Sequence, residues 1–244
     1  MRLTRVFVNS PLAPDADVNL PAAAANHVGR VLRLRAGAVI VAFDGSGNDY
    51  RCEILSVEGD AVRVRVGPRS SGLPESPLRI TLVQAVSRGE RMDWTLQKAT
   101  ELGVRTIVPV LSARSVVRLD DQQAEKKLRH WQAIVAGACE QCGRSVVPEI
   151  RQPQELSHYL ASSTRDGQRF VLSPTGPASL AGLTSVSARV ELLIGPEGGL
   201  DDAELERAAA SGFTPVRLGP RVLRTETAGI VALTVLQATW GDLV

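Results

Sequence analysis

In the first part of the chain, apolar and polar positions alternate in short runs. "RVFVN" opens it, "AVIVAFD" and "DYRCEILSV" flank "GSGN", and "AVRVRVG" keeps a period of two. That period places successive side chains on opposite faces of a strand, and Gly, Ser and Asn in the connection tolerate the positive φ of a hairpin turn. Between the first two runs, "PAAAANHVGRVLRL" reads as helix. The stretch from Gly67 to Pro77, "GPRSSGLPESP", has linker chemistry, which divides the chain into residues 1–72 and 73–244.

Beyond the linker the rhythm changes to strand and helix in alternation. "LRITLVQAVS", "VRTIVPVLS", "RFVLS", "RVELLIG" and "TPVRLG" read as strands. Helices are predicted near "RMDWTLQKATELG" and "DDQQAEKKLRHWQAIVAGACEQ", over 201–211 and over 226–239. Such alternation implies an α/β fold with a mostly parallel sheet, whose ligands bind beyond the carboxyl ends of the strands.

The 244 residues are 44% hydrophobic, ample for a packed core. The N-terminus lacks the apolar run of a secretion signal and no long apolar span occurs, so a cytoplasmic location without membrane contact is expected. Cys139 and Cys142 form a lone C-x-x-C inside a helical pattern, without a second ligand pair. No metal is therefore assigned. Residues 1–72 hold nine Arg against seven acids while the remainder balances at nineteen each, so the net charge of +2 sits wholly in the N-terminal third. A nucleic-acid-binding face there is permitted, although the abundance of Arg over Lys has codon usage as an equal explanation.

Two loops carry the chemistry. "GPEGGLDDAELERA" follows an apolar strand and enters a helix, but matches neither phosphate-binding fingerprint. Glu197, Asp201 and Asp202 would repel a pyrophosphate. A ligand with a flat base, a ribose and a positive centre would tolerate those carboxylates, and Gly195, Gly198 and Gly199 would let backbone approach the base; S-adenosylmethionine fits that description. Independently of any ligand, Asp201 can cap the following helix with Glu204 three residues on. In "LGPRVLRTETA", Thr225 is the expected cap of an almost wholly apolar helix, buried on most faces, with Glu226 in its first turn and Arg224 facing a pocket.

These loops, together with "SRGERMDWTLQKATELGV", "HWQAIVAGACEQCGR", "VVPEI" and "ANHVGRVLRL", resemble the ribosomal RNA small-subunit methyltransferase E family, over residues 5 to 242. The resemblance implies a SPOUT-class C-terminal domain with a trefoil knot, a PUA-like β-barrel domain before it, a homodimer, and transfer of a methyl group from S-adenosylmethionine to N3 of a uridine in 16S rRNA. Carried onto this chain, it assigns the cofactor to Leu172 and Ser173, to Ile194, Gly195, Pro196, Glu197, Gly198 and Gly199, and to Leu218, Gly219, Leu223, Arg224, Thr225, Glu226, Thr227 and Ala228.

Uracil N3 becomes a good nucleophile only after losing its proton, so positioning and charge stabilisation should dominate. Arg224 is the first catalytic candidate, with a salt bridge to Glu226 or Glu197 as its structural alternative. Glu197 is a second candidate, as general base, although a carboxylate is weak in that role unless desolvated. Lys98 and Glu101 read as a solvated pair, and His130 as a packing or capping residue. Arg88, Arg91, Arg114 and Arg144 are candidates for the RNA cleft. Arg5, His27, Arg30 and Arg33 are assigned to RNA backbone contact, the last two on one helix face unless surface acids such as Asp15 or Asp17 pair them. The rival readings are a ribose 2′-O methyltransferase of the same class and a non-catalytic RNA-binding assembly factor.

Overall fold

Strand-forming sequence dominates the first unit. A computed structural model of the chain describes residues 3–162 and 166–243. Its first compact unit comprises Met1–Glu75 with Ala136–Val147, and its second Ser76–Val135 with Pro148–Val244. A segment that a linear division at residue 73 leaves in the second domain thus clusters with the first.

In the first unit, β1 (Arg5–Phe7), β2 (Asp17–Asn19), β3 (Val39–Phe43), β4 (Asn48–Glu58) and β5 (Ala61–Ser71) form one sheet in the order β1-β3-β4-β5-β2. Only β1 and β3 pair in parallel. Among the described residues no ladder joins β1 to β2, which stand at the two ends of this order. The alternating positions of β5 bury Val62, Val64 and Val66 and expose Arg63 and Arg65, as a period of two requires. The expected linker proves to be strand as far as Ser71. Gly67 and Pro68 fall at a register shift opposite Tyr50 to Cys52, where the missing proline N–H breaks no ladder bond, and a Cβ at Gly67 would meet Arg51 O at 2.3 Å. The predicted helix is shorter than its pattern: α1 (Ala22–Asn26) continues as one π-helical stretch, His27–Val31.

The second unit is built on β6 (Arg79–Ala85), β7 (Thr106–Leu111), β8 (Glu149–Ile150), β9 (Gln154–Glu155), β10 (Gln168–Leu172), β11 (Ala178–Ser179), β12 (Arg189–Ile194) and β13 (Thr214–Arg217). Its sheet runs β11-β13-β10-β12-β6-β7-β8, with β9 also on β7. Every pair is parallel, and the central strands read as continuous apolar runs because both faces are covered. The helices are α2 (Glu90–Glu101), α3 (Asp121–Cys142), α4 (Leu156–Ser162), α5 (Asp202–Ala210) and α6 (Thr225–Trp240). Helix α4 is not among the helices predicted from the sequence. It buries Leu156, Tyr159 and Leu160 against Val83, Val108 and Val171.

Helix α6 buries one face, Gly229, Ala232, Leu233 and Leu236, while Ile230, Val231 and Val235 remain half-buried. The expectation of burial on most faces fails for a single chain.

Candidate active site

The start of α6 is tied to two other elements. The Thr225 hydroxyl donates to Gly195 O at 2.7 Å and accepts from Gln84 Nε2 at 3.0 Å, all in a buried setting at the carboxyl ends of β6 and β12. Thr225 is therefore not the cap. That position is held by Arg224, whose side chain makes no capping bond, because the threonine hydroxyl is committed to fixing the loop after β12. The other cap matches expectation. Asp201 Oδ1 accepts from Glu204 N at 2.7 Å and Glu204 Oε2 from Asp201 N at 3.0 Å, while Glu204 Oε1 also accepts from Ala113 N at 2.8 Å.

Between these ties lies a cavity of about 500 Å³. Leu172 and Ser173 contribute from the end of β10. Ile194, Gly195, Pro196, Glu197 and Gly199 follow β12, and Leu218, Gly219, Leu223, Arg224, Thr225, Glu226 and Ala228 complete the lining. Of the residues assigned from sequence, Gly198 and Thr227 do not line it. A Cβ at Gly198 would point at Arg114 Cβ, 3.3 Å away, not into the cavity, and Arg114 Nη1 in turn donates to Gly198 O at 3.1 Å. Pro174, Leu200, Leu205, Val216, Arg221 and Val222 also line the cavity and were missed. The apolar ones carry no signal that separates them from ordinary core.

The lining fits S-adenosylmethionine by chemistry. The volume is that of a nucleotide-sized ligand site. Leu172, Leu200, Val216, Leu218 and Leu223 offer apolar walls to a flat base. Gly199 and Gly219 line the cavity at φ +70° and +101°, and a Cβ at either would meet no protein atom within 4 Å, so a side chain there would project into open space. Glu197 and Glu226 supply negative charge for a cationic ligand.

The carboxylate of Glu197 is held by α2. Arg91 Nη1 donates to Glu197 Oε1 at 3.0 Å, and Arg88 N does so at 3.4 Å. Partial burial alone would raise the carboxyl pKa, but hydrogen bonds from its own backbone, from Arg88 N–H and from the Arg91 guanidinium hold it below the ordinary value. A carboxylate so stabilised is a poorer proton acceptor, which weighs against a general-base role. Arg91 Nε also lies 3.9 Å from Glu226 Oε1, so Arg91 takes the pairing that the sequence offered to Arg224. Arg224 is exposed, lines the cavity, and its guanidinium makes no ion pair or hydrogen bond among the described residues.

Two of the arginines assigned to RNA are largely buried in ion pairs. Arg5 is 9% exposed at its side chain. It pairs with Asp49 at 2.7 Å, donates to Ser145 Oγ at 2.9 Å and lies over the Phe43 ring. Arg144, also 9% exposed, pairs with Glu75 through Nε at 3.1 Å. His27 stands 3.9 Å from Glu140, and Arg30 pairs with Asp60 rather than Asp15 or Asp17. Arg33 lies beyond the helix at φ +53°, so Arg30 and Arg33 share no helical face. His130 neither packs nor caps; Nε2 meets Asp93 Oδ2 at 2.9 Å. Lys98 and Glu101 pair at 2.9 Å, half-buried. Burial pushes the Cys139 thiol up to about 12, and among the described residues no cluster of metal ligands occurs.

A parallel α/β sheet bearing this cavity and preceded by a β-rich unit is the architecture of an RNA methyltransferase with a PUA domain. Residues 74–237 match the RNA methyltransferase domain family and residues 20–67 the RNA methyltransferase PUA domain. The chain belongs to the ribosomal RNA small subunit methyltransferase E family. It is 34% identical to the family member of Buchnera aphidicola over 242 residues, covering 99% of this chain and 98% of that protein. Among solved structures it is similar to a putative methyltransferase of Legionella pneumophila in complex with its bound cofactor SAM, at 40% identity, TM-score 0.96 and full coverage of both chains. It is also similar to the family member of Neisseria gonorrhoeae bound to S-adenosyl methionine, at 36% identity, TM-score 0.91 and full coverage of both.

Proposed function

We propose that this chain methylates N3 of a uridine in small-subunit ribosomal RNA, with S-adenosylmethionine as methyl donor, bound in the cavity between the loops after β10, β12 and β13. Family membership makes it an S-adenosylmethionine-dependent methyltransferase of small-subunit ribosomal RNA. The observation that carries the assignment of the site is the meeting of Gly199, Gly219 and two carboxylates around an apolar hollow of about 500 Å³.

The donor supplies an electrophilic methyl on a sulfonium. The chain's own residues must hold the uracil in line and favour its N3 anion. Arg224 is the catalytic residue of this reading, since its unpaired guanidinium at the cavity is available to negative charge that develops on the base. Glu197 and Glu226, tied by Arg91, contribute fixed negative charge and loop order rather than proton transfer. Leu172, Ser173 and Ile194 to Gly195 bound the hollow from the strand ends.

Three further features belong to this reading. A trefoil knot in the C-terminal domain is proposed on the family likeness, with the start of α6 bonded from Thr225 to Gly195 O after β12. The half-buried Ile230, Val231 and Val235 of α6 support a homodimer. No helix among the described residues is long and apolar enough to cross a membrane, and a ribosomal RNA substrate supports a cytoplasmic location.

Calorimetry with S-adenosylmethionine, followed by transfer of labelled methyl to small-subunit rRNA from cells lacking the enzyme, tests the proposal. Binding with transfer supports it; binding without transfer to any RNA would favour a non-catalytic assembly factor.

A further inference from the structure

The amino ends of the parallel strands carry a second, polar pocket of about 560 Å³, at the opposite edge of the sheet from the cofactor cavity. Arg79, Arg105, Arg151 and Arg189 line it, with only Asp166 and Glu191 as acids. The separation along β12 is five residue steps, about 17 Å at strand geometry.

Among the described residues, the charge of Arg79 is not balanced from within the pocket. Glu191 is already neutralised by Arg169, whose side chain is 2% exposed and whose Nη2 lies 2.9 Å away, and it accepts a hydrogen bond from the Tyr159 hydroxyl at 2.7 Å. Asp166 pairs with Arg189, and Arg151 leans on Glu149 at 3.4 Å. The Arg79 guanidinium makes no ion pair or hydrogen bond among the described residues. Arg79 and Arg189 are register partners in the β6–β12 ladder, so their side chains leave the sheet on the same face. Like charges directly opposite each other destabilise a sheet, and the repulsion becomes attraction once an anion lies between them. Paired guanidinium groups above Thr81 and Thr106, whose hydroxyls can also donate, match the oxygens of a phosphate better than those of any neutral ligand.

We propose that this pocket binds a phosphate group, and that its source is the backbone of the RNA substrate held away from the methylated base; the choice of RNA rests on the proposed function, the phosphate chemistry does not. The pocket then positions RNA without reading its sequence.

The test compares the full chain with Arg79→Gln/Arg189→Gln, with Arg129→Gln on the exposed face of α3 as a surface control, against inorganic phosphate, uridine monophosphate and a small-subunit rRNA fragment. Inorganic phosphate should raise the melting temperature of the wild type over chloride at equal ionic strength, and not that of the double variant. RNA affinity should fall about tenfold in the double variant and the salt slope should drop by roughly 0.7–0.9, as for the loss of one phosphate contact. Affinity for S-adenosylmethionine should stay unchanged. A response confined to uridine monophosphate would keep the phosphate site and overturn RNA as its source. Equal phosphate stabilisation and equal RNA slopes in both proteins would overturn the proposal. Failure of methyl transfer in the wild type would sink the proposed function and leave the phosphate readout standing.

Discussion

Arg91 and Glu197 are joined at 3.0 Å, so a residue of α2 fixes the carboxylate in the middle of the glycine-rich loop. Because the folded-state pKa of Glu197 is depressed, its contribution to stability is fully present above the ordinary carboxylate pKa, about 4.3, and is lost as pH falls through the folded value. Thermal unfolding of Glu197→Gln should therefore show its full deficit against wild type at pH 7 and a vanishing one at the acid end. The rate profile between pH 6 and 9 should have the same limbs in both proteins, since Glu197 does not titrate there. A basic limb that disappears in the variant would restore it as a proton acceptor.

Arg224 is exposed at the cavity with no partner among the described residues to lose, so Arg224→Ala should leave folding intact. Removing a charge that acts only on the developing anion should lower kcat about 100-fold or more, with affinity for S-adenosylmethionine within a few-fold of wild type. Steady-state kinetics alongside calorimetry separates the two. A matching loss of cofactor affinity would make Arg224 a binding residue instead.

Neighbouring glycines should behave differently. A Cβ at Gly199 meets no protein atom within 4 Å and projects beside the cavity, at a φ of +70°, so Gly199→Val should abolish cofactor binding. At Gly198 the Cβ would press on Arg114 at 3.3 Å, so Gly198→Val should displace that arginine and weaken binding only in part. Equal cofactor affinities in the two variants would show that the loop direction is wrong.

Arg5→Ala leaves the Asp49 carboxylate without its cation in a largely buried position and should destabilise the fold by about 3 kcal/mol. Arg30 and Asp60 are both mostly exposed, so Arg30→Ala should shift stability by no more than about 0.5 kcal/mol. Urea denaturation measures both. If RNA binding fell after Arg5→Ala in a protein of unchanged stability, Arg5 would be a contact residue after all.

Local chemistry was legible wherever its partners lie close in sequence. The Asp201–Glu204 capping box is one turn long and was readable as such, as were the strand alternation of β5 and the loops around Gly195 and Arg224. The fates of Arg5 and Arg144 were not, because Ser145 lies 140 positions from Arg5 and Glu75 lies 69 from Arg144. Nothing in "TRVF" distinguishes an arginine destined for a buried ion pair from one facing a phosphate. Gly67 and Pro68 read as linker because their composition does; only the bulge opposite Arg51 turns them into strand. Likewise, Thr225 has the residue type of a cap, and the competing acceptor at Gly195 O is thirty positions away.

The most direct measurement is the chemical position of the transferred methyl. Small-subunit rRNA from cells lacking the enzyme, treated with purified protein and S-adenosylmethionine and digested to nucleosides, should yield 3-methyluridine by mass spectrometry, in amounts stoichiometric with one site. The methyl group on a ribose 2′ oxygen, or on no nucleoside of this RNA, would contradict it.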